Sequence, residues 1–204
     1  NQTRVIRKQK MLEFGVKLSE SSDAFDVFDA IAKQIKATEA KKLAFRIADG
    51  ILAAAEAEAL EKCEYISGVT EVFSALAQDE EYSVGIATNN SVSCVKAFLD
   101  SICPGCHVPV VGRIPDMPER MKPSPWPLQR VARDMNVQIG DVIFVGDTIN
   151  DYMCSQSAGC MMLGMAATNN KRVELSQFLA PDMIVSDFFA LLNKVDEIKS
   201  NMQE

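Results

Sequence analysis

The spacing of apolar residues changes character partway along the chain. Over residues 1–60 they recur every three or four positions, and the only glycines are Gly15 and Gly50. That period lays one apolar stripe along a helix. Residues 2–15 carry Val5, Ile6, Met11, Leu12 and Phe14 as a rough stripe ending at Gly15. A second helix is expected to start near Ser22 or Asp23, with Phe25, Phe28, Ile31, Ala32 and Ile35 on one face. A third, over 38–62, is rich in Ala, Glu and Lys, all strong helix formers. Three helices with no strand between them predict a small bundle. The pattern breaks near 65–68, which places a module boundary after residue 64. Beyond it, short apolar runs alternate with helical stretches. Strands are predicted at 82–88, 108–112, 142–145, 160–166 and 183–185. Helices are predicted at 67–77, 91–101, 128–135 and 188–201. Five prolines between Pro115 and Pro127 mark a loop. Such alternation predicts a parallel sheet with helices on both faces.

The most informative stretch is VIFVGDTIND, residues 142–151. Four apolar residues, Val142 to Val145, suit a strand buried on both faces. Gly146 lets the chain turn, and Asp147 and Asp151 follow at the strand's carboxyl end, where open α/β sheets bind ligands. A helix is expected from Asp151 to Gly159. Two carboxylates there suit a hard cation, Mg²⁺ above all. The plainer alternative is that Asp147 ends a strand and Asp151 caps a helix. ATNNS, at 87–91, sits where a strand hands over to a helix. A Thr hydroxyl beside freed backbone N–H groups is a ready phosphate cradle, although Asn90 or Ser91 acting only as a cap accounts for it as well. In MKPSP, at 121–125, Pro123 stiffens the chain after Lys122. A lysine fixed at a sheet edge can neutralise a phosphate or hold a carboxylate; a solvated surface lysine is the alternative.

Composition narrows the choice of partner. With 204 residues, 48% of them hydrophobic, the chain suits one core domain carrying a smaller insert. A net charge of −7 argues against a nucleic-acid partner. No apolar run approaches the roughly 18 residues that span a membrane. No charged-then-apolar leader opens the sequence, so a reduced, cytoplasmic compartment is expected. The six cysteines are irregularly spaced. CPGCH, at 103–107, matches a haem-attachment pattern, and a redox dithiol or half of a zinc site is also open. Two reduced thiols in a loop is the expected state. His107 is the one histidine, which argues against His-based nucleophilic catalysis.

Taken together and in this order, GIATNNS, KPSP and VGDTINDYMCSQSAG strongly resemble the haloacid-dehalogenase (HAD) superfamily, in its phosphoglycolate-phosphatase-like branch. The resemblance covers about residues 65–190 and is most specific from Val145 to Gly159. It implies a HAD-like, Rossmannoid core, a doubly wound parallel sheet over residues 65–204, with residues 1–64 as an N-terminal helical cap. It implies Mg²⁺-dependent hydrolysis of a small phosphorylated metabolite through an aspartyl-phosphate. Thr88 and Asn89 would bind the phosphoryl group and Lys122 would balance its charge. Asp147 would hold the Mg²⁺, directly or through water, with Asp151 supporting.

One part of the family pattern does not match. The first motif, an apolar strand ending in DxD, supplies the nucleophile and the general acid–base. The nearest Asp cluster, DAFDVFDA at 23–30, has Asp26 and Asp29 three apart in an amphipathic helix and does not substitute for it. The chain opens on Asn1, not Met, so residues 1–204 are expected to begin just downstream of that strand. Two alternatives remain: a catalytically inactive binding or scaffold protein on the same fold, and a changed reaction, as in phosphomutases and dehalogenases. A dehalogenase would not need the metal, so the carboxylate pair with Lys122 favours phosphoryl transfer.

Overall fold

A computed structural model describes residues 2–19 and 24–201. The first helix, α1 (Gln2–Glu13), does not bury the stripe its apolar residues suggest. Val5, Ile6 and Leu12 are exposed, while Arg7 and Met11 face inward. Arg7 is tolerated there because its Nη1 donates to the Ala24 carbonyl at 2.6 Å. Helix α2 (Asp26–Gln34) follows; its expected start at Ser22 or Asp23 lies outside the described residues. Helix α2 buries Phe28 and Ile31 on the expected face, with Val27 beside them. Helix α3 (Thr38–Lys62) lays Ala44, Phe45, Ala48 and Leu52 against α1 and α2. The inner faces of the three helices form one apolar cluster.

The rest of the described chain is α/β with parallel pairing throughout. Helix α4 (Val69–Gln78) starts after Gly68, whose φ of 78° is a conformation glycine adopts without strain. Strand β1 (Ile86–Ala87) leads into α5 (Val92–Ile102), and β2 (Val110–Val111) pairs in parallel with β1. Helix α6 (Trp126–Asp134) packs on both strands. Strand β3 (Ile143–Gly146) is followed by α7 (Ile149–Ala158), which ends at Gly159 with φ 81°. Strand β4 (Met161–Met165), helix α8 (Asn169–Leu175), strand β5 (Ile184–Val185) and α9 (Phe188–Asn201) complete the order. Helix α8 was not expected: its sequence, NNKRVEL, is polar and buries only Leu175, and it is started by Thr168, whose hydroxyl accepts from Lys171 N–H.

The parallel sheet comes in two pieces, β1-β2 and β3-β4-β5. Strands β1 and β3 are therefore both edge strands among the described residues. Over 142–145, expected to be buried on both faces, only Phe144 is buried, while Ile143 and Val145 are partly buried against the cluster of Leu163, Met165, Val185 and Leu191. The predicted strand at 82–88 is paired over only two residues, Ile86 and Ala87.

The cysteines divide by environment. Cys103 and Cys106 are joined as a disulfide, where two reduced thiols were expected. The turn at Gly105, φ 83°, brings their Cα atoms to 5.5 Å, within bridging range. Cys63 is exposed. Burial pushes the Cys154 thiol up to about 12, against the pull of Lys122. Iodoacetamide at about pH 8 is expected to label Cys63 and spare Cys154 in the folded protein, since the thiolate is the reactive form. Peptide mapping of the alkylated protein checks this, and early modification of Cys154 would contradict it. No described helix is long and apolar enough to cross a membrane.

Candidate active site at the strand ends

Three separate segments meet beyond the carboxyl ends of β1 and β3. The first is the turn after β1. Thr88 donates its backbone N–H to the Val111 carbonyl at 2.9 Å, continuing the ladder with β2. Its hydroxyl oxygen accepts from Asn90 N–H at 3.1 Å, so the hydroxyl proton is left to donate elsewhere. Ser91 caps α5, its hydroxyl accepting from Cys94 N–H. The cap and the possible cradle thus coexist in one turn. Asn89 does something its sequence position did not reveal. Its Oδ1 accepts from Lys122 N–H at 2.8 Å, and its Nδ2 donates to the Lys122 carbonyl at 3.0 Å. The Asn89 side chain grips the backbone of the second segment.

That second segment carries Lys122. Its side chain is 13% exposed, so it is not a solvated lysine. Its Nζ donates to Asp151 Oδ1 at 2.5 Å and lies 5.5 Å from the centre of the Phe144 ring.

The third segment is the turn from β3 into α7. Thr148 is the N-cap, and it forms a reciprocal capping box with Asp151, so α7 begins at Ile149, ahead of Asp151. Asp151 is buried, and its Oδ2 accepts from Asp147 N–H, Thr148 N–H and the Thr148 hydroxyl. Burial pushes its carboxyl up, but the Lys122 charge and these hydrogen bonds outweigh it and hold it below the usual carboxylate range. Gly146 leaves room for this carboxylate: a Cβ there would stand 2.5 Å from Asp151 Cβ and 2.8 Å from its Cγ. Gly146→Ala is therefore expected to cost about 1–3 kcal/mol through overpacking. Urea unfolding measures it, and an unchanged midpoint would contradict the packing argument.

Asp147 stands apart from this network. Its side chain is 57% exposed and pairs with Lys171 Nζ at 3.5 Å. Lys171 also pairs with Glu174. Burial of Lys171 lowers its pKa, but the two carboxylates outweigh that and raise it. Of the two aspartates at this turn, Asp147 keeps an accessible carboxylate and Asp151 has its Oδ2 fully engaged by protein donors. No group of three His, Cys, Asp or Glu side chains able to hold a metal occurs among the described residues. Mg²⁺ commonly takes one or two carboxylates and completes its shell with water and phosphate oxygens. The Asp147 carboxylate fits that role as one ligand of a shared site.

Sequence reasoning missed Arg113. Its side chain is fully buried, with Nε donating to Asp49 Oδ1 at 2.8 Å and Nη1 to Glu56 Oε1 at 2.6 Å. Nη1 also donates to the Asn89 carbonyl at 2.8 Å. Only its position just after an apolar pair, in VVGR, hinted at burial. A cavity of about 470 Å³ opens beside this cluster, lined by Arg4, Phe25, Leu52, Glu56 and Asn90 among others.

Thr88, Lys122, Asp147 and Asp151 are drawn to the strand ends of a parallel α/β core, and the chain belongs to the haloacid dehalogenase-like hydrolase family. That family's sequence signature matches residues 10–165. Among characterised proteins, the chain is similar to the phosphoglycolate phosphatase of Pectobacterium atrosepticum, 30% identical over 138 residues, 67% of this chain and 57% of that protein. It is similar also to that of Escherichia coli K12, 31% identical over 123 residues, 59% of this chain and 47% of that protein. The chain spans about half the length of these relatives. Among crystal structures, a HAD hydrolase from Entamoeba histolytica aligns with a TM-score of 0.63 at 21% identity, covering 97% of this chain and 92% of that one. A haloacid dehalogenase-like protein of unknown function from Agrobacterium tumefaciens aligns with a TM-score of 0.55 at 14% identity, covering 99% and 91%. At such identities the likeness is one of fold.

Proposed function

We propose that this chain is the cap and most of the core of a Mg²⁺-dependent phosphatase acting on a small phosphate monoester, of the phosphoglycolate-phosphatase kind. The observation that carries the reading is the convergence of Thr88, Lys122 and the Asp147–Asp151 turn from three distant segments onto one edge of the sheet. Residues 1–64 would act as the cap, covering the site and excluding water.

The roles follow from the hydrogen bonds each group has left over. The Thr88 hydroxyl accepts from Asn90, so its own proton is available to a phosphoryl oxygen. The Lys122 ammonium gives one N–H to Asp151 and keeps two for the phosphate. Asn89 holds the backbone of Lys122 still, and Asp151 holds its head, so the charge waits in place for the transition state. Asp147 would be the metal-holding carboxylate, with Asp151 supporting through Lys122 and the turn. Bound there, Mg²⁺ would neutralise phosphate charge during in-line displacement. The nucleophilic Asp would come from a strand upstream of Asn1. The unpaired edges of β1 and β3 support a place for that strand between them.

Titration calorimetry of residues 1–204 with inorganic phosphate tests this half-site. Phosphate binding is expected, tightened by Mg²⁺, with the Mg²⁺ effect lost in Asp147→Asn. No binding with or without Mg²⁺ would overturn the reading.

A further inference from the structure

We infer that Arg113 is a positioning residue that fixes Lys122 to the helical unit through Asn89. The inference rests on reading Lys122 as the phosphate-balancing cation, and adds a device that sets where that cation stands.

A continuous chain of contacts runs from α3 to Lys122. Arg113 follows β2 directly after Gly112, and its backbone N–H donates to the Asn90 carbonyl at 2.9 Å. That approach needs glycine at 112, where a Cβ would stand 2.8 Å from the same carbonyl oxygen. The guanidinium then reaches α3, pairing with Asp49 and Glu56. It lies 5.8 and 5.5 Å from the ring centres of Phe25 and Phe28 in the helical unit. The same Nη1 that meets Glu56 also donates to the Asn89 carbonyl. Glu56 completes the link from its side, its Oε2 accepting from Ser91 N–H at 2.9 Å. Residues 89–91 are thus held to α3 at two points, by Arg113 and by Glu56. Asn89, pinned through its own carbonyl, turns its side chain to bracket both backbone polar groups of Lys122.

The chemistry requires a fork. One planar guanidinium serves three acceptors in different directions, two carboxylates on α3 and one carbonyl on the turn, and a lysine ammonium at the end of a flexible stem does not reproduce that geometry. Arg113 touches no reacting atom in this arrangement. It acts by making the turn and α3 one rigid piece, so that a shift of the helical unit over the site is felt at Lys122.

Amide hydrogen exchange of residues 1–204 by NMR tests this. Arg113→Lys keeps the charge and loses the fork. It is expected to speed exchange of the Lys122 amide by about tenfold, the scale of one hydrogen bond to a charged group. That increase should exceed any change in the slowest amides of β4, which report global stability. The Thr148 amide, bonded to Asp151 on the far side of Lys122, is expected to keep its protection. Asp49→Asn removes one carboxylate charge while leaving Glu56, and should move the Lys122 amide in the same direction by less. It carries the test if Arg113→Lys does not fold. Wild-type exchange at Lys122 in either folded variant, or a rise matched equally in β4, would overturn the inference and leave Arg113 a structural ion pair. If Lys122 responds to both variants but the wild-type chain shows no shift with inorganic phosphate, the positioning link stands and the phosphatase reading fails.

Discussion

Replacing Asp151 by asparagine is expected to cost about 3–5 kcal/mol of folding stability, the usual result of removing one partner from a buried ion pair. The Asp151 and Lys122 side chains are 5% and 13% exposed, so the cation left behind is largely shielded from water. Asparagine keeps the shape and one carbonyl acceptor, but loses the charge that Lys122, Thr148 and two backbone N–H groups converge on. The loss should depend on pH. The Asp151 carboxyl is held below its unfolded value, so its contribution is fully present above the unfolded pKa of about 3.9. It fades as pH falls through the lower folded value. Urea unfolding of wild type and Asp151→Asn across the acid range is therefore expected to show two curves well apart near neutrality and converging at low pH. A constant gap down to the lowest pH would contradict the assignment of the charge to Asp151.

Lys122→Ala is expected to have its largest effect on chemistry. Asp151 keeps its three donors on Oδ2 when the lysine is gone, so the turn into α7 survives. What disappears is the ammonium that Asn89 and Asp151 hold in place at the strand ends. If it stabilises the transferring phosphoryl group, its loss should lower turnover about a hundred- to a thousandfold, the range for removing one preorganised donor from a transition state. Hydrolysis of an aryl phosphate by the full-length gene product, mutant beside wild type, measures this. Circular dichroism confirms that the variant folds. A fall of less than about tenfold would assign Lys122 to structure alone.

Much of this arrangement could be read from sequence, for identifiable reasons. The strand–helix alternation after residue 65 is local, and periodicity reports it directly. The turn GDTIND shows its two carboxylates directly, whereas Thr148 as the cap, in place of Asp151, and Gly146 as the space for the Asp151 carboxylate emerge only in the fold. What stayed hidden depends on partners far away in the chain. Arg113 finds Asp49 and Glu56 on a helix more than fifty residues earlier, and no spacing rule links them. Nor does any spacing rule show that the Asn89 side chain holds the backbone of Lys122. Along α1 the apolar stripe misleads, because a charged side chain satisfied by the Ala24 carbonyl takes the inner face. Hydrophobic period records which residues prefer to leave water. It does not record which buried charge will find a counter-charge.

We propose Thr88, Lys122 and Asp147 as the phosphate and metal half of a phosphatase site whose nucleophile would lie upstream of Asn1. The measurement that tests it most directly is Mg²⁺-dependent hydrolysis of a generic aryl phosphate by the full-length gene product, run beside residues 1–204 and beside Asp147→Asn in both. Turnover by the full-length protein alone, abolished in Asp147→Asn, is the predicted result. Turnover by residues 1–204 would contradict the placement of the nucleophile, and a full-length protein that binds Mg²⁺ but never turns over would contradict the phosphatase reading itself.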